Sequence, residues 1–495
     1  MTVPHAPVKG AHSLADHPKG LSTLFFAELW ERFSYYGMRA LLVLFMVSPV
    51  GMGGLGFDTA HAGLIYGNYT MAVYMLSIPG GIIADRIMGP RRAVLVGGFI
   101  IMCGHFTLAF HTLPSFYGGL LLIVLGTGLF KPNVSVLVGR LYQADDTRRD
   151  AGFSLFYMGI NIGAFFAPLV TGFLAQSETF KSFLDTQGID PTLSWHFGFA
   201  AAGFGMMFGL LILYIYCDRF PNSSQMPKVA KKDIRDIIHV IIGTGLLLGA
   251  VLISDIKAFH WLRALYLLIP VAAIFWFARE DDLDLRRLAA LFVFFIAAMI
   301  FWAVFEQAGV SIALFADKLT SNNLLGWSFP SSWYQSLNPL FVILLAPLFA
   351  IMWTRMGDRQ PSSPIKFTLG LLFLALSFLL MVPAAQLTIQ GKVSPLWLVG
   401  LFLLQTIGEL FLSPVGLSTM TKLAPVRMVG LVMGVWFLSA SFGSKLAGLL
   451  GGTFKAHNAD ALMNFFLFQA GLVALTMLAM YLISPWVKRL MGAIR

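Results

Sequence analysis

Residues 28–37 read ELWERFSYYG and lie inside an apolar run that extends from 21 to 48. Glu28, Glu31, Arg32, Tyr35 and Tyr36 stand three and four residues apart, so a helix lays them along one stripe and leaves the rest of its circumference apolar. An ionised side chain at the centre of a membrane span costs about 2.5–3.5 kcal/mol on insertion scales. Three charges within five residues are tolerable there only if they pair with one another or face a wet cavity. The stripe therefore reads as one helix of a membrane-spanning bundle, with its polar face turned toward a central cavity.

The rest of the chain agrees. Its 495 residues are 57% hydrophobic, 14% aromatic and 12% charged, more apolar surface than a soluble fold can cover. Apolar runs of about 20 residues recur throughout, each long enough at about 1.5 Å per residue to cross a hydrocarbon core of about 30 Å. They lack the alternation of a barrel strand, and backbone amides in lipid must be satisfied within their own segment, so the expected class is an all-α membrane protein. Fourteen spans are predicted, at 21–48, 61–85, 92–111, 114–140, 150–176, 196–218, 236–254, 260–278, 287–316, 332–354, 366–386, 395–421, 427–451 and 460–486. Residues 1–20 are polar, and the first apolar helix is expected to direct insertion itself. The two cysteines, Cys103 and Cys217, give no disulfide framework and no zinc site.

Basic residues gather in alternate loops, among them Arg86, Arg91 and Arg92, then Arg140, Arg148 and Arg149, then Arg219, Lys228, Lys231, Lys232 and Arg235. That side is predicted to be cytoplasmic, with both termini on it. The net charge of +10 fits loops that touch anionic lipid, and no nucleic-acid partner is expected. The charged loop 219–235 divides the chain, giving an N-terminal six-helix bundle at 1–218, a cytoplasmic linker with an inserted helical hairpin at 219–286, and a C-terminal six-helix bundle at 287–495. The hairpin helices, 236–278, lack a clear polar stripe and are expected to pack outside the transport core.

Further charges stand where lipid alone cannot hold them. Lys131 lies deep in the span GTGLFKPNVS at 126–135, beside Pro132, which cannot donate a backbone hydrogen bond. Glu306 and Glu409 occupy two later spans. Two carboxylates close to cations titrate together, so protonating one would release a cation for an incoming anion.

GGIIADRIMGPRR at 80–92 resembles the signature loop of the major facilitator superfamily, and MWTRMGDRQ at 352–360 is a weaker echo in the second half. Six further segments resemble the successive signatures of the proton-dependent oligopeptide transporter family: ELWERFSYYG, FKPNVS at 130–135, FSLFYMGINIGAFFAP at 153–168, FWAVFEQAG at 301–309, WYQSLNPLF at 333–341 and GELFLSPVG at 408–416. The resemblance runs through both halves and implies a major facilitator fold, two six-helix bundles plus two extra helices, in the bacterial inner membrane. It implies proton-coupled symport of di- and tripeptides into the cell by alternating access, by a monomer whose partners are the peptides, protons and membrane lipids, with no cofactor beyond the coupling proton.

The same resemblance assigns Glu28, Glu31, Arg32, Lys131 and Glu306 to proton coupling, with Lys131 exchanging between the acidic cluster and the peptide carboxylate. It assigns Glu409, Asn161 and Asn338 to the peptide amino end, Tyr35, Tyr36 and Tyr74 to its backbone, Lys131 to its carboxylate and Trp436 to a side-chain pocket, with Arg32 and Trp302 also among the peptide-binding residues. Animal members place a histidine in the second helix, and its equivalent here is Gly67, so coupling is expected to rest on carboxylates. Small organic anions or nitrate, carried by plant relatives, fit less well with an intact Glu409. A membrane-embedded enzyme lacks support, since the chain has no GxSxG, HExxH or aspartate-rich loop.

Overall fold

The computed structural model describes residues 16–143, 146, 148–220, 231–264, 285–324, 326–423 and 429–491. The first half holds α1 (Lys19–Val47), α2 (Thr59–Met75), α3 (Ser77–Ile83), α4 (Pro90–Leu108), α5 (Leu113–Arg140), α6 (Arg149–Gln176), the short α7 (Glu178–Thr186) and α8 (Ser194–Ile215). After α9 (Lys231–Ile253) come α10 (Leu285–Phe305), α11 (Ser311–Lys318), α12 (Leu337–Met356), α13 (Ser363–Leu387), α14 (Leu396–Leu423), α15 (Val429–Gly451) and α16 (Ala459–Met491). A two-residue β1 (Asn323–Leu324) pairs antiparallel with β2 (Trp327–Ser328).

Eleven described helical stretches are long and apolar enough to cross a membrane, and Ile237–Ile253 is a shorter apolar helix. Helix α1 adds 29 residues, interrupted in composition only by the charges of its stripe. Of the fourteen expected spans, 260–278 begins with 3-10 turns at Lys257–Ala264 rather than a regular helix, and its remainder lies outside the described residues. The N-terminal tail to residue 15, most of the linker and Arg427 also lie outside them.

Local chemistry sets the helix ends. The Asp58 carboxylate caps α2 by accepting from the His61 amide at 2.8 Å. Thr112 and Ser115 form a reciprocal capping box at the start of α5. Between α3 and α4 the backbone turns through Gly89 at φ 74°, a conformation that a side chain disfavours. Within the first half α1 packs on α6 and α8, and α4 packs on α5 and α8. Within the second, α13 packs on α14 and α16, and α10 packs on α15 and α16.

The halves meet along α2 and α15, which touch through glycine. A Cβ at Gly63 would stand 2.5 Å from the Gly448 carbonyl oxygen, and one at Gly448 2.2 Å from that of Gly63. Small residues of this kind let two backbones approach closely. The 3-10 turn just ahead of α12, Ser331–Ser336, adds hydrogen bonds to α6: Trp333 Nε1 donates to the Leu169 carbonyl at 3.0 Å and Ser336 Oγ to that of Phe165 at 2.7 Å.

Helix α9 sits on the outer side of this seam, its Val251 packed with Met71 and Met75 of α2 and with Phe295 and Phe442 of the second half. It is not a detached appendage. Just past its end, Asp255 is paired with Lys445 of α15 at 2.6 Å, and Asn68 of α2 bonds both residues. Lys445 is fully buried. Breaking a buried ion pair by removing one partner costs about 3–5 kcal/mol, because the survivor stays charged and desolvated. Asp255→Ala is therefore expected to destabilise the protein by about that much, whereas Asp255→Leu with Lys445→Met should lose much less. Thermal unfolding of the two single variants and the double variant in detergent measures the difference.

Candidate functional site: a charged cavity between the bundles

A cavity of about 290 Å³ lies between the two halves. Ten of the thirteen residues picked out in the sequence line it: Arg32, Tyr36, Tyr74, Lys131, Asn161, Trp302, Glu306, Asn338, Glu409 and Trp436. Glu28, Glu31 and Tyr35 are not in its wall. The two carboxylates stand behind Arg32, and Tyr35 is buried with its hydroxyl bonded to nothing in the protein.

The helix α1 stripe forms as the spacing predicts. Arg32 Nε lies 3.1 Å from Glu28 Oε1 and bonds Glu31 Oε2, while its guanidinium sits 5.1 Å from the Tyr35 ring centroid. All three charged side chains are more than nine-tenths buried. Glu28 Oε2 and Glu31 Oε1 accept no hydrogen bond from the described residues. Two carboxylates sharing one guanidinium, each with a bare oxygen, are a place where a proton can be held.

One further turn along, the same stripe reaches Arg39. Its guanidinium pairs with Glu306, and its Nε donates to the Tyr66 hydroxyl at 2.7 Å, which itself lies 3.3 Å from Glu306 Oε2. This cluster joins α1 and α2 to the second half. Glu306 is placed by a break in its helix: α10 ends at Phe305, residues 306–309 form a 3-10 turn, and α11 restarts at Ser311. The broken backbone is satisfied inside the protein, since Gln335 donates to the Ala308 carbonyl. Arg39 and Tyr66 escaped the sequence reading. Arg39 continues the spacing of Arg32 and Tyr36, so the signal was present.

Lys131 behaves differently from Arg32 and Arg39. Its ammonium rests 3.9 Å from the Tyr74 ring centroid, and no described carboxylate lies within ion-pair distance. Such a contact supplies only about 0.5–2 kcal/mol, well short of what a salt-bridged partner provides to a buried cation. The carboxylates of the acidic cluster with which Lys131 was expected to exchange, Glu28 and Glu31, are engaged by Arg32. On the opposite half, Glu409 Oε2 accepts from Asn338 Nδ2 at 2.9 Å, and Asn338 also reaches Thr406. No described cation pairs with Glu409. Asn161 uses its amide NH₂ on the Tyr157 carbonyl, one turn back at 3.0 Å. The Trp436 ring packs against Gly416, where a Cβ would stand 2.2 Å from it, so the last glycine of GELFLSPVG is the space the indole occupies. Gly67 abuts the backbone of α15, with a Cβ position 3.0 Å from the Lys445 carbonyl, and any larger side chain there would push the seam apart.

The lining charges thus fall into two closed groups and two open ones. Arg32 with Glu28 and Glu31, and Arg39 with Glu306, are paired within themselves, the first group with one carboxylate more than its cation. Lys131 and Glu409 are a cation and an anion with no ionic partner among the described residues, one on each half. The arrangement suits a small molecule that carries both charges.

Residues 91–467 match the model of the POT family. The chain is 40% identical over 514 residues to the peptide transporter YePEPT of Yersinia enterocolitica, covering 98% of this chain and 97% of that one. It is 37% identical over 502 residues to the di-/tripeptide transporter of Lactococcus lactis, covering 97% of each. Among solved structures, a peptide transporter POT variant in complex with alafosfalin superposes with a TM-score of 0.86 at 39% identity, over 97% of both chains.

Removing either member of the Arg39–Glu306 pair strands the other in a buried setting. Arg39→Gln and Glu306→Gln should each lower the unfolding temperature, and the double variant should lose less than the two losses together. A coupling below about 0.5 kcal/mol in that cycle would show that the pair does not join the halves.

Proposed function

This chain belongs to the POT family of peptide transporters, and on that footing we propose that it brings di- and tripeptides into the cell together with protons, binding each peptide in the cavity between its halves. The observation that carries this reading is the pair of unmatched charges, Lys131 and Glu409, on opposite halves of one cavity. A peptide zwitterion has a carboxylate for the first and an ammonium for the second. Tyr36, Tyr74, Asn161 and Asn338 then stand between them as hydrogen-bonding groups for the backbone, with Trp302 and Trp436 forming apolar walls. The relative from Lactococcus lactis is named for di- and tripeptides, which supports the same substrate length.

Charge balance supports coupling to a proton. In and just behind the cavity wall stand three cations, Arg32, Arg39 and Lys131, against four carboxylates, Glu28, Glu31, Glu306 and Glu409. Fully ionised, the set carries one negative charge. A zwitterion adds nothing to that balance, and one proton makes the loaded site neutral, the state that crosses a low-dielectric barrier at least cost. Protonating Glu306 would also loosen its hold on Arg39 and so on the junction between the halves. That is the route by which proton binding would favour alternating access. One charge moving through 100 mV gains about 2.3 kcal/mol, and each tenfold accumulation costs about 1.4 kcal/mol, so a single proton sustains roughly fifty-fold accumulation from voltage alone.

The basic loops place both termini on the cytoplasmic side of the inner membrane in this reading. The cavity is built within one chain, which supports function as a monomer. With respect to that orientation the glycine seam and the Trp333 and Ser336 bonds close the outer end, so outward opening requires them to part.

Uptake of labelled dialanine into proteoliposomes tests the proposal. Wild-type protein should accumulate dialanine only under a proton gradient, and Glu306→Gln should stop uphill accumulation. Lys131→Gln should raise the KM at least tenfold, about 1.4 kcal/mol of lost recognition. Glu409→Gln should weaken dialanine but leave its N-acetylated analogue, which has no ammonium, unaffected. Gradient-driven accumulation by Lys131→Gln at the wild-type KM would refute the carboxylate assignment.

A further inference from the structure

A smaller chamber, of about 220 Å³, leads off the cavity between the halves. Tyr157 of α6, with Glu409 and Ser413 of α14, lines both spaces, so the two meet beside the Glu409 carboxylate. From there the chamber runs between α12 and α14, and no other charged side chain is among its described lining residues.

Spacing along α12 sets its wall. Ala346, Phe349, Ala350 and Trp353 stand three and four residues apart, hence on one helical face, and all four line the chamber. The alanines leave the volume open and the aromatic rings bound it. Those rings are held in place. Phe349 and Trp353 meet Phe411 of α14 edge-on at centroid distances of 5.0 and 5.8 Å, and Phe411 stacks on Phe373 of α13 at 5.7 Å. Rings interlocked in this way do not swing in to fill the space. Leu410 and Pro414 of α14 add to the apolar lining.

We propose that this chamber receives the side chain of the peptide's first residue and favours an aromatic or large aliphatic one, an inference that rests on the peptide reading above. An ammonium bound at Glu409 is attached to the α-carbon that carries that side chain, so the side chain starts where the two spaces meet. The second side chain leaves the backbone one residue farther toward Lys131, on the other half, and away from the chamber's mouth. An apolar cavity of about 150 Å³ is enough to hold a benzene ring, so this one has room for a phenylalanine or leucine side chain. A charged side chain would lose its hydration there and find no ionic partner beyond Glu409 at the mouth.

The test is competition against gradient-driven uptake of labelled dialanine in proteoliposomes, with unlabelled Phe-Ala and Ala-Phe as the competitors. Burial of the ring should let Phe-Ala inhibit at a concentration roughly tenfold below that of unlabelled dialanine. Ala350→Leu puts a larger side chain into the chamber and should raise the half-inhibiting concentration of Phe-Ala about tenfold relative to that of Ala-Phe. Ala346→Val is a milder filling that should move the same ratio in the same direction, and it serves if Ala350→Leu does not fold. A general disturbance of the fold, or a chamber occupied by a lipid chain, would shift both competitors alike. Equal responses of Phe-Ala and Ala-Phe to the substitutions, or inhibition by Phe-Ala no stronger than by dialanine, overturn the pocket while dialanine uptake leaves the peptide reading standing. Absence of gradient-driven dialanine uptake by the wild-type protein would sink that reading and the pocket with it.

Discussion

An ion taken out of water must be matched, and this constraint organises the protein more than any apolar contact does. Apolar packing cannot select one arrangement among helices that lipid would solvate equally well. Charge can. Arg32 holds its two carboxylates within α1, Arg39 reaches across to Glu306, and Lys445 fixes Asp255 beyond the end of α9. The last two pairings specify which helix faces which, one joining the halves and the other bringing in the inserted segment.

What is left unmatched then acquires meaning. Lys131 and Glu409 line a cavity in which no described residue gives either an ionic partner, and the proposed binding of a dipolar molecule rests on that. The break in the helix at residues 306–309 belongs to the same logic. It places a carboxylate at the junction of the halves, where a change of one proton alters both a local charge and a contact between domains.

Most of the helix framework was legible because a twenty-residue apolar run in lipid has one backbone solution, and its ends are marked by residues such as Asp58, Thr112 and Gly89. The stripe on α1 was legible because spacing along one helix is a local property. Partner choice was not. Nothing in the neighbourhood of Arg39 names Glu306, which is 267 positions away, and nothing near Asp255 names Lys445. The inserted segment was expected to pack outside the transport core because its helices lack a polar stripe. Val251 of α9, packed against α2 and the second half, and Asp255 just past the helix end, paired with Lys445, tie it to both halves.

The glycine contact between α2 and α15 has a mechanical consequence. Interlocked side chains must change rotamer, and leave voids, before two helices can separate. A surface of bare backbone has no teeth to disengage. Gly63, Gly67 and Gly448 let the helices come close enough to exclude water while keeping the joint smooth. If the halves alternate as proposed, a joint of this kind can part and close again with no side chains to disengage.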